Sequence, residues 1–204
     1  MPAAVVAIIL AAGESSRMGR PKPLLPINGS NGETFLGHLV TELDASRATR
    51  TVVVLGHRAD DILATMPEVK DLAVINTNYQ LGQLSSLQVG LEAVGPADAI
   101  VMCLVDHPDI SRQVVSQVID AFESTRAPIV IPTHQGRRGH PTLFAARLFD
   151  ELRAAPLDQG ARVVVHAHVD EILELPIDDD EILADLDTPE QYQAWLARRE
   201  ATGR

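Results

Sequence analysis

The chain alternates between short, unbroken apolar runs and longer stretches in which apolar residues recur every three or four positions. Val5–Leu10, Thr51–Leu55, Ala73–Asn76, Ala99–Val105 and Ile129–Pro132 belong to the first kind. They are too short for helices and rich in β-branched residues, so they predict buried strands. Phe35, Leu36, Leu39, Val40 and Leu43 keep helical spacing behind Thr34, a residue suited to capping a helix N-terminus. Further helices are predicted at Asp60–Thr65, after Ser85, and at Ser111–Ser124. A strand–helix alternation of this kind predicts an α/β fold with a mostly parallel sheet covered by helices. The rhythm breaks at Thr133–Pro141, a polar, glycine-containing excursion followed by the short apolar stretch Thr142–Phe144. A flap or antiparallel insertion fits that pattern better than another crossover. The chain then predicts a helix around Ala146–Ala154, a helical or irregular segment at Gly160–His168, a strand at Ile172–Ile177 and a final helix. Thr188-Pro189-Glu190-Gln191 opens that helix with a capping-box pattern and a proline in the first turn. With no repeat and no obvious linker, residues 1–204 read as one domain.

Composition narrows the picture. Aromatic residues make up only 3% of the chain, so Val, Ile, Leu and Ala must build the core. A formal net charge of -11 argues against a nucleic-acid or anionic-membrane surface, both of which need a basic patch. Any phosphate must therefore be bound locally. The single cysteine, Cys103, lies inside an apolar run, excludes an internal disulfide and reads as a core residue. Residues 1–10 lack a basic stretch, and their apolar run is too short to span a membrane, so a cytoplasmic protein is expected.

The candidate chemistry begins where the first strand ends. Leu10-Ala11-Ala12-Gly13-Glu14-Ser15-Ser16-Arg17-Met18-Gly19-Arg20-Pro21-Lys22 leaves the carboxyl end of a buried strand, where open parallel sheets place their ligand crevice. Gly13 and Gly19 let backbone amides approach a ligand, Ser15 and Ser16 add hydroxyls, and Arg17 and Lys22 bring two cations, a set suited to a polyphosphate. It is neither a Walker loop nor the Gly-x-Gly-x-x-Gly dinucleotide fingerprint.

Leu10-Ala-Ala-Gly-x-Ser-x-Arg-Met-Gly-x-x-Lys22 resembles the loop of the MobA-like nucleotidyltransferases. Further segments match the family in order. Gly82-Gln-Leu-Ser-Ser-Leu87 is similar to the segment that approaches the nucleotide, which implicates Gly82, Ser85 and Ser86. Leu104-Val-Asp-His-Pro108 looks like the metal-binding aspartate motif. Arg138-Gly139-His140-Pro141 resembles an element near the acceptor, and Asp185-Leu-Asp-Thr-Pro-Glu190 the closing motif. The resemblance implies a three-layer, Rossmann-like sandwich of the nucleotide-diphospho-sugar transferase type. Its Ala-Ala-Gly form points to cytidine rather than guanosine nucleotides, and so to the molybdopterin cytidylyltransferase branch. The implied reaction moves CMP from CTP to the terminal phosphate of molybdenum-bound molybdopterin, with pyrophosphate leaving and Mg2+ as cofactor. An apo molybdenum oxidoreductase is the partner such a product would serve.

Asp106 directly follows the apolar run Ala99–Val105, and Asp187 precedes the capped final helix, so the two carboxylates could share one magnesium ion. Asp185 is a weaker candidate, and only one of Asp185 and Asp187 is expected to face the metal. His107, as the neighbour of a ligand, is expected to point away, whereas His140 can meet the acceptor. His166 and His168 read as surface residues, and Asp178–Glu181 as a solvated turn. In this scheme Arg17, Lys22 and Asp106 carry the catalysis. Three other readings remain open at the level of sequence: a nucleotidyltransferase acting on a sugar phosphate or another phosphorylated acceptor, an oxidoreductase of the same family, and a non-catalytic cofactor carrier.

Overall fold

In a computed structural model that describes residues 2–28 and 32–202, the predicted alternation closes into one eight-stranded sheet with helices on both faces. The strands are β1 Val5–Ala11, β2 Arg50–Leu55, β3 Ala73–Ile75, β4 Ala99–Leu104, β5 Ile129–His134, β6 Arg137–Arg138, β7 Thr142–Ala145 and β8 Ile172–Pro176. The helices are α1 Phe35–Asp44, α2 Ala59–Thr65, α3 Gln83–Val94, α4 Arg112–Thr125, α5 Phe149–Ala154, α6 Arg162–Ala167 and α7 Pro189–Thr202. Strand order is β3-β2-β1-β4-β7-β5-β6, with β8 on β5. The pairs β1–β2, β1–β4, β2–β3 and β5–β8 are parallel. The excursion predicted at Thr133–Pro141 is the antiparallel turn between β5 and β6, after which β7 returns antiparallel between β4 and β5. Among the described residues no helix is long and apolar enough to cross a membrane.

The unbroken apolar runs are explained by burial on both faces. In β1, Val5, Ala7, Ile9 and Ala11 pack with α1, α4 and α7, while Val6, Ile8 and Leu10 pack with α3 and α5. Strand side chains alternate between faces, so a strand covered on both sides needs apolar residues at every position. Cys103 is fully buried in the first of these layers, as its run predicted. Three of the few aromatic residues meet there: Phe35 packs edge-on against Tyr192 and Trp195, at ring-centre distances of 5.7 and 5.3 Å.

The caps expected at Thr34 and Thr188 form, and Ser111, where the sequence predicted only a helix start, supplies another. The Thr34 side chain accepts from the Gly37 amide, and Ser111 from the Val114 amide. At the start of α7 the Gln191 side chain accepts from the Asp187 and Thr188 amides at 2.8 and 2.9 Å, while Thr188 accepts from the Gln191 amide. This reciprocal cap fixes the backbone that carries Asp187. Farther along α7, Trp195 and Arg199 both bond the buried carboxylate of Asp109, three residues beyond Asp106. The final helix is thereby anchored to the loop that follows β4.

Candidate active site

β1 lies between β2 and β4, so the connections leaving β1 and β4 diverge and open a crevice at their carboxyl ends. Leu10, Ala11, Ala12, Gly13, Ser15, Ser16, Arg17 and Lys22 line it from the first loop, Gly82 and Ser86 from the start of α3, and Asp106 and Asp187 from opposite sides. The cavity has a volume of ≈ 290 Å³. Tyr79, Pro23, Gln83, Leu104 and Val105 also line it. Tyr79 carries no signal in the sequence, since it sits in a single helical turn between β3 and α3 and reaches the crevice only through the fold.

Other residues singled out in the sequence sit elsewhere. Met18 is 4% exposed and packs in the core, while Glu14 and Gly19 border a neighbouring depression with His57 and Arg58. Ser85 is held inward: the Asn76 amide donates to it, and its hydroxyl donates to the Gly82 carbonyl at 2.8 Å. Ser15 likewise works within the loop, taking a left-handed backbone (φ 54°), receiving the Met18 and Gly19 amides on its carbonyl and the Lys22 amide on Oγ. Arg138 is engaged by Glu174 on the surface. Gly139 packs so tightly against the Ile182 carbonyl that a Cβ would lie 2.5 Å from that oxygen, and the His140 amide donates to the same carbonyl. Gly139 and His140 are thus fastened to the segment that leads into Asp185.

Charge organises the crevice floor. Lys22 Nζ lies 3.0 Å from Asp106 Oδ2 and 2.6 Å from Asp187 Oδ1. The Arg17 guanidinium meets the other Asp187 oxygen at 2.7 Å. Burial works against the Lys22 ammonium, but the two carboxylates outweigh it and raise its pKa above the ordinary lysine value. At Asp187 burial favours the acid form, and Lys22 and Arg17 overcome it, lowering the pKa.

The closing segment departs from expectation. Leu186 turns into the core, and its amide donates to the Asp106 carbonyl at 3.0 Å. Residues two apart in extended chain share a face, so Asp185 and Asp187 both stay on the side of Asp106. Burial, then repulsion from Asp106 and Asp187, raises the Asp185 pKa. His107 does not point away either: one of its ring nitrogens lies within 4.8 Å of carboxylate oxygens of both Asp106 and Asp185. The turn after β4 replaces the extended chain on which the outward orientation depended, with the His107 amide donating back to the Leu104 carbonyl. The His107 ring is buried and meets His140 edge-on at 4.7 Å, and Nδ1 of each lacks a hydrogen-bond partner. A buried polar atom left so costs roughly 1–3 kcal/mol. Burial lowers both imidazole pKa values, that of His140 to about 4. The remaining features stay outside this cluster: His168 is paired with Glu151 and Glu171, and Asp179 caps the turn that follows it.

A doubly covered α/β sheet whose switch-point crevice joins a glycine-containing loop, two cations and carboxylates from two distant segments defines a nucleotide-handling domain. The chain belongs to the MobA-like NTP transferase domain family, whose profile matches residues 7–172. It is 29% identical to nicotine blue oxidoreductase of Paenarthrobacter nicotinovorans over 94% of this chain and 96% of that one. It is 25% identical to the molybdenum cofactor cytidylyltransferase of Escherichia coli (strain K12), over 93% and 94% of the two chains. The manganese complex of Rv0371c from Mycobacterium tuberculosis H37Rv superposes with a TM-score of 0.77 at 27% identity, covering 95% of this chain and 98% of that chain. A CMP:2-keto-3-deoxy-manno-octonic acid synthetase complexed with CTP shares the fold at 14% identity, with a TM-score of 0.75 over 98% and 99%.

Proposed function

We propose that the chain transfers CMP from CTP to the terminal phosphate of a small-molecule acceptor, molybdenum-bound molybdopterin, and releases pyrophosphate. The observation that carries the reading is the crevice floor, where Lys22 and Arg17 converge on Asp106 and Asp187 directly under the glycine-containing loop. Support for the base and acceptor comes from the cytidylyltransferase among its relatives and from Ala11-Ala12 in the loop.

In this scheme an acceptor phosphate oxygen forms a bond to the α-phosphorus, the bond from that phosphorus to the bridging oxygen breaks, and pyrophosphate leaves with the electron pair. No covalent protein intermediate is required. Transfers of this kind are accelerated chiefly by alignment and by neutralising charge on the phosphate oxygens. Lys22 and Arg17 exchange their carboxylate contacts for phosphate oxygens, and the amides around Gly13, with Gly82 and Ser86 opposite, hold the triphosphate in line. Leu10, Ala11 and Ala12 form the wall beside the nucleoside. The Arg138–Pro141 element, through Gly139 and His140, borders the acceptor. The donor set fits a divalent cation, because hard carboxylate oxygens from two chain segments converge on one point. Asp106, with Asp187 or Asp185, would hold Mg2+, which supplies positive charge to the transferring and leaving phosphate oxygens when bound.

Pyrophosphate release is measured with each of CTP, GTP, ATP and UTP, with and without molybdenum-loaded molybdopterin. CTP-selective release that needs the pterin is the expected result, whereas release with a sugar phosphate alone overturns the acceptor and keeps the chemistry. The oxidoreductase relative motivates a second reading, in which purified protein carries a nicotinamide or flavin chromophore visible in its absorbance spectrum. CTP binding without turnover, together with a stable complex with an apo molybdenum oxidoreductase, marks a carrier instead.

A further inference from the structure

Lys22, Asp106 and Asp187 meet on the crevice floor, and each sits within four residues of a point at which α7 is fastened. Lys22 precedes Pro26, whose carbonyl accepts from the Tyr192 hydroxyl at 2.7 Å. Asp106 precedes Asp109, whose carboxylate accepts from Trp195 Nε1 and from the Arg199 guanidinium. Asp187 precedes Gln191, whose side chain accepts from the Asp187 amide. Tyr192, Trp195 and Arg199 fall at helical spacing along one face of α7, so that face reaches both of the other loops that supply the floor.

The fastening at Asp109 differs from the other two in carrying buried charge. The Asp109 side chain is 1% exposed and that of Arg199 14%. A buried ion pair adds little stability over apolar side chains of similar bulk, because desolvation offsets the attraction. What it adds is direction. Apolar contact alone would let α7 slide by part of a residue spacing, a rise of roughly 1.5 Å per residue. A slip of that size would part Asp187 from Lys22, which lies 2.6 Å away. The Asp109 carboxylate must meet an indole N–H and a guanidinium together, and that guanidinium also lies over the indole ring at 4.9 Å. This double demand admits one setting of the helix. We infer that Asp109 is a positioning residue for the transfer: through Trp195 and Arg199 it sets the register of α7, and so the placement of Asp187 against Asp106 and Lys22. The inference rests on the transferase reading proposed above. Asp109 lies outside the crevice lining and acts only through the helix. The Leu186 amide, bonded to the Asp106 carbonyl at 3.0 Å, and the Gln191 cap carry the register to the floor. Arg198, half-exposed and 3.9 Å from Asp109, supports the pair from the rim.

The test replaces both charges at once, Asp109→Leu with Arg199→Leu, in the full chain. An apolar pair keeps the bulk of the contact and removes its direction, so Tm should stay near native while register is lost. Steady-state pyrophosphate release from CTP should then show kcat lower by about tenfold to a hundredfold, the scale on which a small misplacement acts. KM for CTP should stay within a few-fold, because the first loop that receives the nucleotide is untouched. Amide hydrogen exchange without nucleotide gives a second measure, independent of turnover. The Leu186, Asp187 and Thr188 amides should exchange about tenfold faster or more in the variant, with β1 and α4 unchanged. Trp195→Phe removes the indole donor and keeps an aromatic ring, and it should show the same pattern in smaller measure, which keeps the test open if the double variant fails to fold. An unchanged kcat overturns the inference, as does a loss of kcat accompanied by uniformly faster exchange in β1 and α4. Turnover by the native chain that both variants retain overturns it and leaves the transferase reading standing. Locally faster exchange in the variants, with no CTP turnover by the native chain, overturns the transferase reading and leaves the hold of Asp109 on the α7 register standing.

Discussion

Replacing Lys22 by Met keeps the length and apolar body of a side chain that is 9% exposed and removes only its charge. The ammonium is the shared counter-ion of two carboxylates, at 3.0 and 2.6 Å, so its loss leaves Asp106 and Asp187 facing each other across the crevice floor without it. Breaking a buried ion pair from one side typically costs roughly 3–5 kcal/mol. Two features reduce that here: Asp187 retains Arg17 at 2.7 Å, and the Asp106 side chain is 26% exposed. A loss of about 2 kcal/mol follows, which in a domain of this size lowers Tm by roughly 4–8 °C. The same change removes a positive charge beside Asp106, so divalent metal should bind the variant more tightly than the native chain. A tenfold gain in affinity raises stability at saturating metal by about 1.4 kcal/mol more in the variant than in the native chain. Thermal unfolding with and without Mn2+ measures both effects. An unchanged Tm, together with an identical metal response in the two chains, would falsify the account of Lys22 as the counter-ion of the pair.

Two glycines should separate ligand contact from packing: a Cβ at Gly13 meets nothing within 4 Å and opens into the crevice, whereas one at Gly139 collides with the Ile182 carbonyl. Gly13→Ala should therefore keep native Tm and weaken CTP binding, while Gly139→Ala should lower stability by about 1–3 kcal/mol in urea unfolding; equal effects on Tm would refute the distinction. His140 titrates at about 4 in the folded chain against an ordinary 6.5, so between those values the unfolded chain takes up a proton that the native state refuses. Stability due to this group is complete above pH 6.5 and falls as pH drops toward 4, by about 1 kcal/mol per unit, and His140→Asn should flatten that slope when urea midpoints at pH 7 and pH 5 are compared. Cys103 is buried and its thiol is pushed up to about 12 by desolvation, so a thiol reagent at pH 8 should label it only at the rate of unfolding; rapid labelling of native protein would contradict its place in the core.

The fold was legible because its strands and helices announce themselves locally. Seven residues of β1 are buried in succession, and a run that short and rich in β-branched residues reads as a doubly covered strand rather than a buried helix. The caps of α1 and α7 were equally plain, since each is set by a residue and its neighbours within four positions. The loop from Leu10 to Lys22 could be placed at the crevice because a strand of known direction must end there. What the sequence hid depends on a turn or on distance along the chain. His107 is drawn to the site by the tight turn after β4, and Tyr79 by the packing of a single helical turn. The inward position of Ser85 rests on a bond to Asn76, nine residues earlier, which no local pattern announces.

The acidic balance of the chain and the cationic loop are parts of one arrangement. With a formal net charge of -11, the surface at large repels anions, so affinity for a polyphosphate must be generated within a few ångströms of the crevice floor. Yet the floor carries Asp106 and Asp187, with Asp185 beside Asp106, three carboxylates against the two cations Arg17 and Lys22. Without a metal, the carboxylates hold these cations and leave the crevice net negative. A divalent cation on Asp106 would reverse that sign and weaken the hold on Lys22, freeing the two cationic side chains for phosphate oxygens. Lys22 would then be both the group that holds the two carboxylates together without metal and the group released when metal arrives. That dual service explains why it is buried, why Ser15 fixes its backbone amide, and why a lysine, with one compact charge reaching two partners, suits the position better than the planar fork of an arginine.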